Sequence, residues 1–409
     1  LALDSWRRLP CRKRPSSVLL LSLFPSFLGG STGLFQPLHH HPLRLVTNTW
    51  PTKNNPLTFY VKAYIKREMK MERNERMRLI QDIEKERGSR LLVYITGDRR
   101  GLETRIAMDI FPMFHEHLMR IGKQRRIDLF LYSTGGITMA GYALVNLIRE
   151  FCEEFNVIIP FKALSCATLI SLGANEIIMS PVGQLSPIDP SVQHPLGPVI
   201  QIPGQPIGQI VPVNVEDVNA FVDLARKEIG LSNEESMKKV LEILGDKIHP
   251  LALGAVQRSR EQIGFLASIL LKYHVNDEEK INSIVQILTR ERFSHDYIIA
   301  RREAKEILGL NIVEPEEKLL KNMMELFNAY SHILELNKPY NPEIYLSGSE
   351  STTVDFSRAI IESFNLTHIF KTKKEIKKVL VPQQSGVPIP TIGYQEIILQ
   401  EGWVLDNLI

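Results

Sequence analysis

From residue 91 onward the chain alternates short unbroken apolar runs with stretches whose apolar positions recur at helical spacing. Leu91-Leu92-Val93-Tyr94-Ile95-Thr96 is the kind of run that a strand buried on both faces requires. Ahead of it, from Met71, MERNERMRLIQDIEKERGSR has the character of a charged helix. After it the pattern predicts a helix over Arg105–Ile121, a strand over Ile127–Tyr132 and a helix over Thr138–Phe155. A strand over Val157–Ala163, a helix over Ser165–Ala174 and a strand over Glu176–Met179 follow. Strands and helices alternating at this pitch imply right-handed βαβ units in a parallel sheet, with any active site at the carboxyl ends of the strands.

The stretch Pro187–Pro212 is rich in Pro, Gly and Gln without a sustained period, which predicts an extended loop or flap. Beyond it the pattern turns helical: Glu216–Ile229, Glu234–Leu244, Leu251–Tyr273, Glu278–Thr289, Arg301–Leu308 and a long Glu316–Leu336. Asn337-Lys338-Pro339-Tyr340-Asn341-Pro342 then reads as a linker. The expected organisation is a leader over 1–70, a main domain over 71–336, a linker over 337–345 and a small appended α+β unit over 346–409.

Composition narrows the function classes. A chain of 409 residues with 44% hydrophobic residues can bury a full core. Its 49 Lys and Arg against 46 Asp and Glu are not gathered into a stripe, which argues against a nucleic-acid partner. The three cysteines, Cys11, Cys152 and Cys166, show no ligand spacing and no disulfide framework, so neither a metal nor a cofactor is expected and a reducing, cytoplasmic setting fits. The first seventy residues stand apart: Arg12-Lys13-Arg14 precedes an apolar run from Val18 to Leu28, then His39-His40-His41. This has the outline of a secretory signal but lacks a small-x-small cleavage site, and the run is shorter than the roughly 20 residues of a membrane span. Translation of sequence upstream of a start at Met69 or Met71 accounts for it equally, and membrane association stays open.

Three segments could carry chemistry. Tyr132-Ser133-Thr134-Gly135-Gly136 ends an apolar strand; paired glycines there allow a sharp turn whose N–H groups can face an oxyanion, though a plain turn needs the same glycines. Lys162-Ala163-Leu164-Ser165-Cys166-Ala167-Thr168 places a serine where a strand passes into a helix, as a nucleophile or as a simple N-cap. Cys166 is a rival nucleophile, or a small buried thiol. Asn175-Glu176-Ile177-Ile178-Met179 through Leu185-Ser186-Pro187-Ile188-Asp189-Pro190 reads as a strand and tight turn passing that serine.

In this order the three segments resemble the serine dehydrogenase proteinase group of the Clp/crotonase superfamily, close to the signal peptide peptidase A family. Thr134-Gly135-Gly136, Ser165-Cys166-Ala167-Thr168, Asn175-Glu176-Ile177-Ile178-Met179 and Leu185-Ser186-Pro187-Ile188-Asp189-Pro190 carry the likeness. Cys166 stands for a usual Ala or Gly, Asn175 for Asp and Ser186 for Gly. It extends through His249-Pro250-Leu251-Ala252 and Phe293-Ser294-His295 to Gly309-Leu310. The resemblance implies an α/β fold of stacked ββα units with a parallel sheet and a helical C-terminal half. It also implies a serine endopeptidase acting on protein or peptide substrates and assembling as a trimer or hexamer. By the same likeness Ser165 is the nucleophile, with Gly136, Gly135 and the N–H of Cys166 as oxyanion donors. The base matches no motif: His295 is favoured, with Asp296 beside it, and His249, Lys247 and His194 are the alternatives. A crotonase-like acyl-CoA enzyme and a non-catalytic scaffold of the same fold are the competing readings.

Overall fold

The computed structural model describes residues 73–188, 191–192, 194–201, 208–291, 297–381 and 391–406, all within one unit spanning Pro56–Ile409. The leader expected over 1–70 lies outside the described residues. A helix over 73–87 (α1) leads into β1 (Arg90–Thr96), α2 (Phe111–Ile121), β2 (Gln124–Tyr132), α3 (Thr138–Arg149), β3 (Cys152–Ile159), β4 (Lys162–Ala163), α4 (Cys166–Leu172), β5 (Glu176–Met179) and β6 (Gln184–Leu185). Among the described residues the expected flap holds three two-residue strands, β7 (Ser191–Val192), β8 (Val199–Ile200) and β9 (Gln209–Ile210), and β10 (Val213–Asn214) directly follows it. Helices α5 (Val215–Asp223), α6 (Glu234–Lys247), α7 (Pro250–Leu271) and α8 (Glu278–Gln286) follow. The chain continues through β11 (Ile299–Ala300), α9 (Arg301–Glu306), β12 (Ile312–Val313), α10 (Glu317–Ile333) and α11 (Pro342–Leu346) to β13 (Ser351–Ser363), β14 (Leu366–Val381) and β15 (Thr391–Leu405).

The main sheet runs β12-β5-β3-β2-β1-β13-β14-β15, and its first five strands are mutually parallel. Successive side chains of a strand point to opposite faces, so each apolar run feeds two cores. Leu92, Tyr94, Leu129, Leu131 and Val157 pack with Phe114, Leu144, Ile170 and Leu270 of α2, α3, α4 and α7. Val93, Ile95, Phe130 and Ile158 pack against Ile80 and Ile83 of α1 and Met323, Leu326 and Tyr330 of α10. The short strands β4 and β6 are parallel neighbours in a second sheet, completed by β11 antiparallel to β6. Strand pairs such as β3–β4, each sending one member to either sheet, give the stacked ββα α/β fold.

Several element boundaries differ from expectation: the helix expected from Arg105 begins at Phe111 and that expected to Ile229 ends as an α-helix at Asp223. The helix expected to Phe155 ends at Arg149, because Cys152 already pairs with Gln124 and β3 starts there. The strand expected over Val157–Ala163 is split after Ile159 by Pro160, which lacks an N–H for the ladder.

The C-terminal segment also differs. In place of a small appended α+β unit, β13 pairs antiparallel with β1, from Val93↔Glu362 to Thr96↔Ala359, and β14 and β15 extend the sheet as long antiparallel strands. Part of the expected linker is the short helix α11. Buried polar pairs fasten this extension. Arg76 of α1 forms a two-pronged ion pair with Glu362, both bonds 2.9 Å, and Tyr330 and Thr367 also donate to that carboxylate, at 2.5 and 2.6 Å. Burial alone would raise the Glu362 carboxyl, but these donors hold it below the usual carboxylate range.

His117 of α2 is fully buried against the extension, with Nδ1 2.6 Å from Ser363 Oγ and Nε2 3.1 Å from His368 Nδ1. Burial, then His368 and Arg120, push its imidazole down to about 3. The folded state thus keeps His117 neutral while the unfolded chain protonates it near 6.5, so this stability is complete above that pH and is lost as pH falls toward about 3. Stability should drop by up to about 1.4 kcal/mol per pH unit in that window from this group. Denaturant unfolding at pH 7 and pH 4.5, with His117→Gln showing a flatter dependence, checks it; equal slopes would remove His117 as the cause.

Candidate active site

β2 ends at Tyr132, and the next residue is the anchor of the turn. Ser133 is fully buried: its N–H donates to Lys162 O at 2.9 Å, its carbonyl accepts from Leu164 N, and its Oγ accepts from Thr96 Oγ1 at 2.7 Å and from Gly135 N at 3.0 Å. These bonds set the Thr134-Gly135-Gly136 turn directly alongside the 162–164 strand that leads to Ser165. Gly135 has φ +121°, and a Cβ there would lie 2.9 Å from Ser165 Cβ and 3.3 Å from its Oγ. Gly136 has φ +157°, and a Cβ there would sit 2.2 Å from the carbonyl oxygen of Ile106. Ile106 is stitched to the turn through Ile106 N to Gly135 O at 2.9 Å and Ile137 N to Ile106 O at 2.8 Å. Only glycine lets these backbones come so close.

Ser165 precedes α4 with φ +51° and ψ −113°, a conformation an L-residue adopts only when its surroundings impose it. Its N–H donates to Ser186 Oγ at 2.7 Å, and Ser186 is held in turn, its N–H donating to Thr168 Oγ1 at 3.0 Å while Thr168 Oγ1 donates to Ala163 O at 2.8 Å. Ser165 is half-buried, and its Oγ is hydrogen-bonded to no described group. The N-cap reading of Ser165 does not hold, because its hydroxyl makes no capping bond.

The three expected oxyanion donors separate. Gly135 N–H is taken by Ser133 Oγ, so it is not available to a ligand. The N–H groups of Gly136 and Cys166 are joined to no described acceptor. The Cys166 side chain is buried, donates to Ile137 O at 3.3 Å, and is pushed up to about 12 by burial, which makes it an inert thiol rather than a rival nucleophile.

The base candidates are scattered. His249 is exposed and caps α7, its Nδ1 accepting from Leu251 N at 3.2 Å, and Lys247 is exposed at the end of α6. His194 Nδ1 accepts from Leu196 N at 3.1 Å in the flap. No described hydrogen bond joins any of the three to Ser165, and His295 lies outside the described residues. The supporting roles of Ser133, Thr168 and Ser186 were not visible in the sequence; the Ser at position 186, where the family pattern has Gly, was the one signal.

Comparison with known proteins bears on this arrangement. Residues 56–249 match the family described as ClpP-like SDH-type serine proteinase, the match opening ahead of Met69. The uncharacterized protein MJ0137 of Methanocaldococcus jannaschii is 28% identical over 206 residues, 50% of this chain and 59% of its own length. MJ1495 of the same organism, also uncharacterized, is 24% identical over 265 residues, 62% of this chain and 76% of its own. Among solved structures, the 1510-N membrane-bound stomatin-specific protease aligns at 15% identity with a TM-score of 0.27, over 53% of this chain and 79% of its own. The same protease in complex with a substrate peptide aligns at the same identity and TM-score, over 53% and 74%. No described helix is long and apolar enough to cross a membrane. Over residues 56–249, then, the chain is similar to the ClpP-like SDH-type serine proteinases, the likeness its motifs implied.

Proposed function

We propose that the chain is an endopeptidase in which Ser165 forms the acyl-enzyme. The carrying observation is the strained Ser165 turn, whose N–H is tied to Ser186 while its Oγ, beside Gly135, is bonded to none of the described residues. In the first step the Oγ–carbonyl bond forms as the hydroxyl proton passes to a base, and the carbonyl oxygen takes up the negative charge against the N–H groups of Gly136 and Cys166. Collapse of that intermediate breaks the C–N bond, and the protonated base returns its proton to the leaving amine. A water then repeats the sequence on the ester and frees Ser165.

We keep the base at His295, the residue the sequence favours, which lies four positions ahead of β11 in the chain. β11 runs antiparallel to β6, with Ile299 opposite Leu185, and β6 neighbours β4, which feeds Ser165. Assembly into a homo-oligomer is proposed from the exposed Leu241, Leu251 and Phe265 of α6 and α7, each more than half exposed. Sedimentation at the mass of one chain would overturn that part.

A fluorophosphonate probe should label one site, and mass mapping should place it on Ser165; peptide turnover blocked without a Ser165 adduct would reject the assignment. His295→Ala should cost about 10⁴-fold or more in turnover, whereas His249→Ala, Lys247→Ala and His194→Ala should stay near wild type. A wild-type rate for His295→Ala removes it as the base.

A further inference from the structure

A cavity of about 430 Å³ opens immediately beside the catalytic turn, with Thr134 in its wall. Its second wall is the Thr104–Ala107 segment, whose middle residue Ile106 braces Gly135 and Ile137. Its remaining walls come from β13, β14 and β15, through Arg358, Phe370, Glu401 and Trp403, all outside the 56–249 segment that the proteinase family matches. The C-terminal strands thus build a recess next to the proposed oxyanion donors that the core domain alone would not have.

The polar groups that the C-terminal strands contribute to this recess are already engaged. Arg358 donates to Leu102 O at 2.9 Å, to Thr372 Oγ1 at 3.0 Å, to Glu401 Oε2 at 2.6 Å and to Glu103 O. Thr372 Oγ1 also donates to Glu401 Oε2, at 2.7 Å. Trp403 Nε1 donates to Asp109 Oδ2 at 2.9 Å. At the rim, the exposed Glu103 and Arg105 carry opposite charges. The apolar part of the lining is Ala107, Ala359 and the half-buried rings of Phe370 and Trp403, which meet edge to face with centroids 5.4 Å apart. An edge-to-face pair lining an open recess can take a third ring in the same geometry, and the charges on the C-terminal wall, Arg358 and Glu401, are already paired with each other.

We infer that this recess is a specificity pocket for an aromatic side chain of the peptide substrate, one or two residues from the cleaved bond. The inference rests on the proposed Ser165 reading for which bond is cut, but not for what the recess binds. A pocket of this chemistry discriminates side chains without raising the intrinsic reactivity of the serine.

The test compares blocked peptides that differ only in Phe or Ala at each position around the cleaved bond. At one position the wild type should prefer Phe by about tenfold or more in kcat/KM, a ratio typical of one apolar group in a fitted pocket. Trp403→Ala and Ala107→Leu, one emptying and one filling the recess, should both bring that ratio close to unity. Damage to the fold would lower both peptides alike; a preserved ratio, or none in the wild type, overturns the inference. The second readout needs no turnover: Ser165→Ala protein is titrated with the same peptides and the fluorescence of Trp403 is obtained by difference from the Trp403→Phe form. The Phe peptide should saturate that signal at a concentration about tenfold below the Ala peptide, and identical titrations overturn the pocket. A missing Ser165 adduct with a Phe-selective titration would reject the nucleophile and keep the pocket.

Discussion

Replacing Ser165 by alanine is expected to lower peptide turnover on the order of 10⁶-fold, leaving only what the oxyanion donors and substrate binding provide without a nucleophile. The fold should survive, because Oγ makes no bond to a described group and the N–H to Ser186 is unchanged by the substitution. Alanine keeps a Cβ at φ +51°, so the strain at this turn remains. Ser165→Gly removes it. Relief of about 1–3 kcal/mol, less the 0.5–1 kcal/mol of extra chain entropy that glycine loses on folding, should leave Ser165→Gly roughly 1 kcal/mol more stable than Ser165→Ala. Steady-state rates and urea unfolding of the three proteins decide both points: turnover of the alanine form near wild type, or a glycine form no more stable than it, contradicts this account.

Gly136→Ala should be the most damaging single methyl group in the molecule. Its Cβ would meet backbone, 2.2 Å from Ile106 O and 2.4 Å from Ile106 N, so no side-chain rotation can relieve the collision. The turn must swing away from the Thr104–Ala107 segment, carrying the Gly136 N–H with it. A loss of at least about 10²-fold in kcat is expected from the misplaced oxyanion donor. Stability should fall by about 3 kcal/mol, the upper range for overpacking. Gly254 in α7 and Gly245 in α6 make the control, since a Cβ there meets nothing within 4 Å. In those helices alanine should raise stability by up to about 1 kcal/mol and leave turnover alone. Equal melting temperatures and rates for Gly136→Ala and Gly254→Ala would show that the close approach to Ile106 has no consequence.

The parallel half of the sheet was legible because strands buried on both faces need unbroken apolar stretches, as in Leu91–Ile95 of β1, Leu129–Tyr132 of β2 and Ile177–Met179 of β5. The strand-to-helix turn at Ser165 was legible as a candidate site because small residues follow it and two glycines stand some thirty positions earlier. The α3–β3 junction was not: Phe151-Cys152-Glu153-Glu154-Phe155 continues a helical spacing, and only pairing with Gln124 converts it to strand. The C-terminal strands were misjudged for a similar reason. Lys371, Lys373, Lys374, Lys377 and Lys378 make β14 look like a solvated surface, and the partner that fixes β13 lies far back in the chain at Val93–Thr96. The base was out of reach because a proton acceptor is defined by its distance to one oxygen atom, and that distance leaves no trace in spacing.

The insertion of β1 between β2 and β13 has a consequence for how the protein is made. During synthesis β1 can join β2 early, but its other edge stays bare until Ala359–Glu362 have been translated, and Arg76 waits for a carboxylate 286 positions later. Until then the growing chain presents an unpaired row of N–H and C=O groups beside a lone buried guanidinium, the two features most prone to wrong partners. The loop that must close is long but costs little more than a shorter one, because closure entropy rises only with the logarithm of length. A chain stopped after α10 would hold Ser165 and both glycines, yet leave the first strand of its sheet as an open template for aggregation.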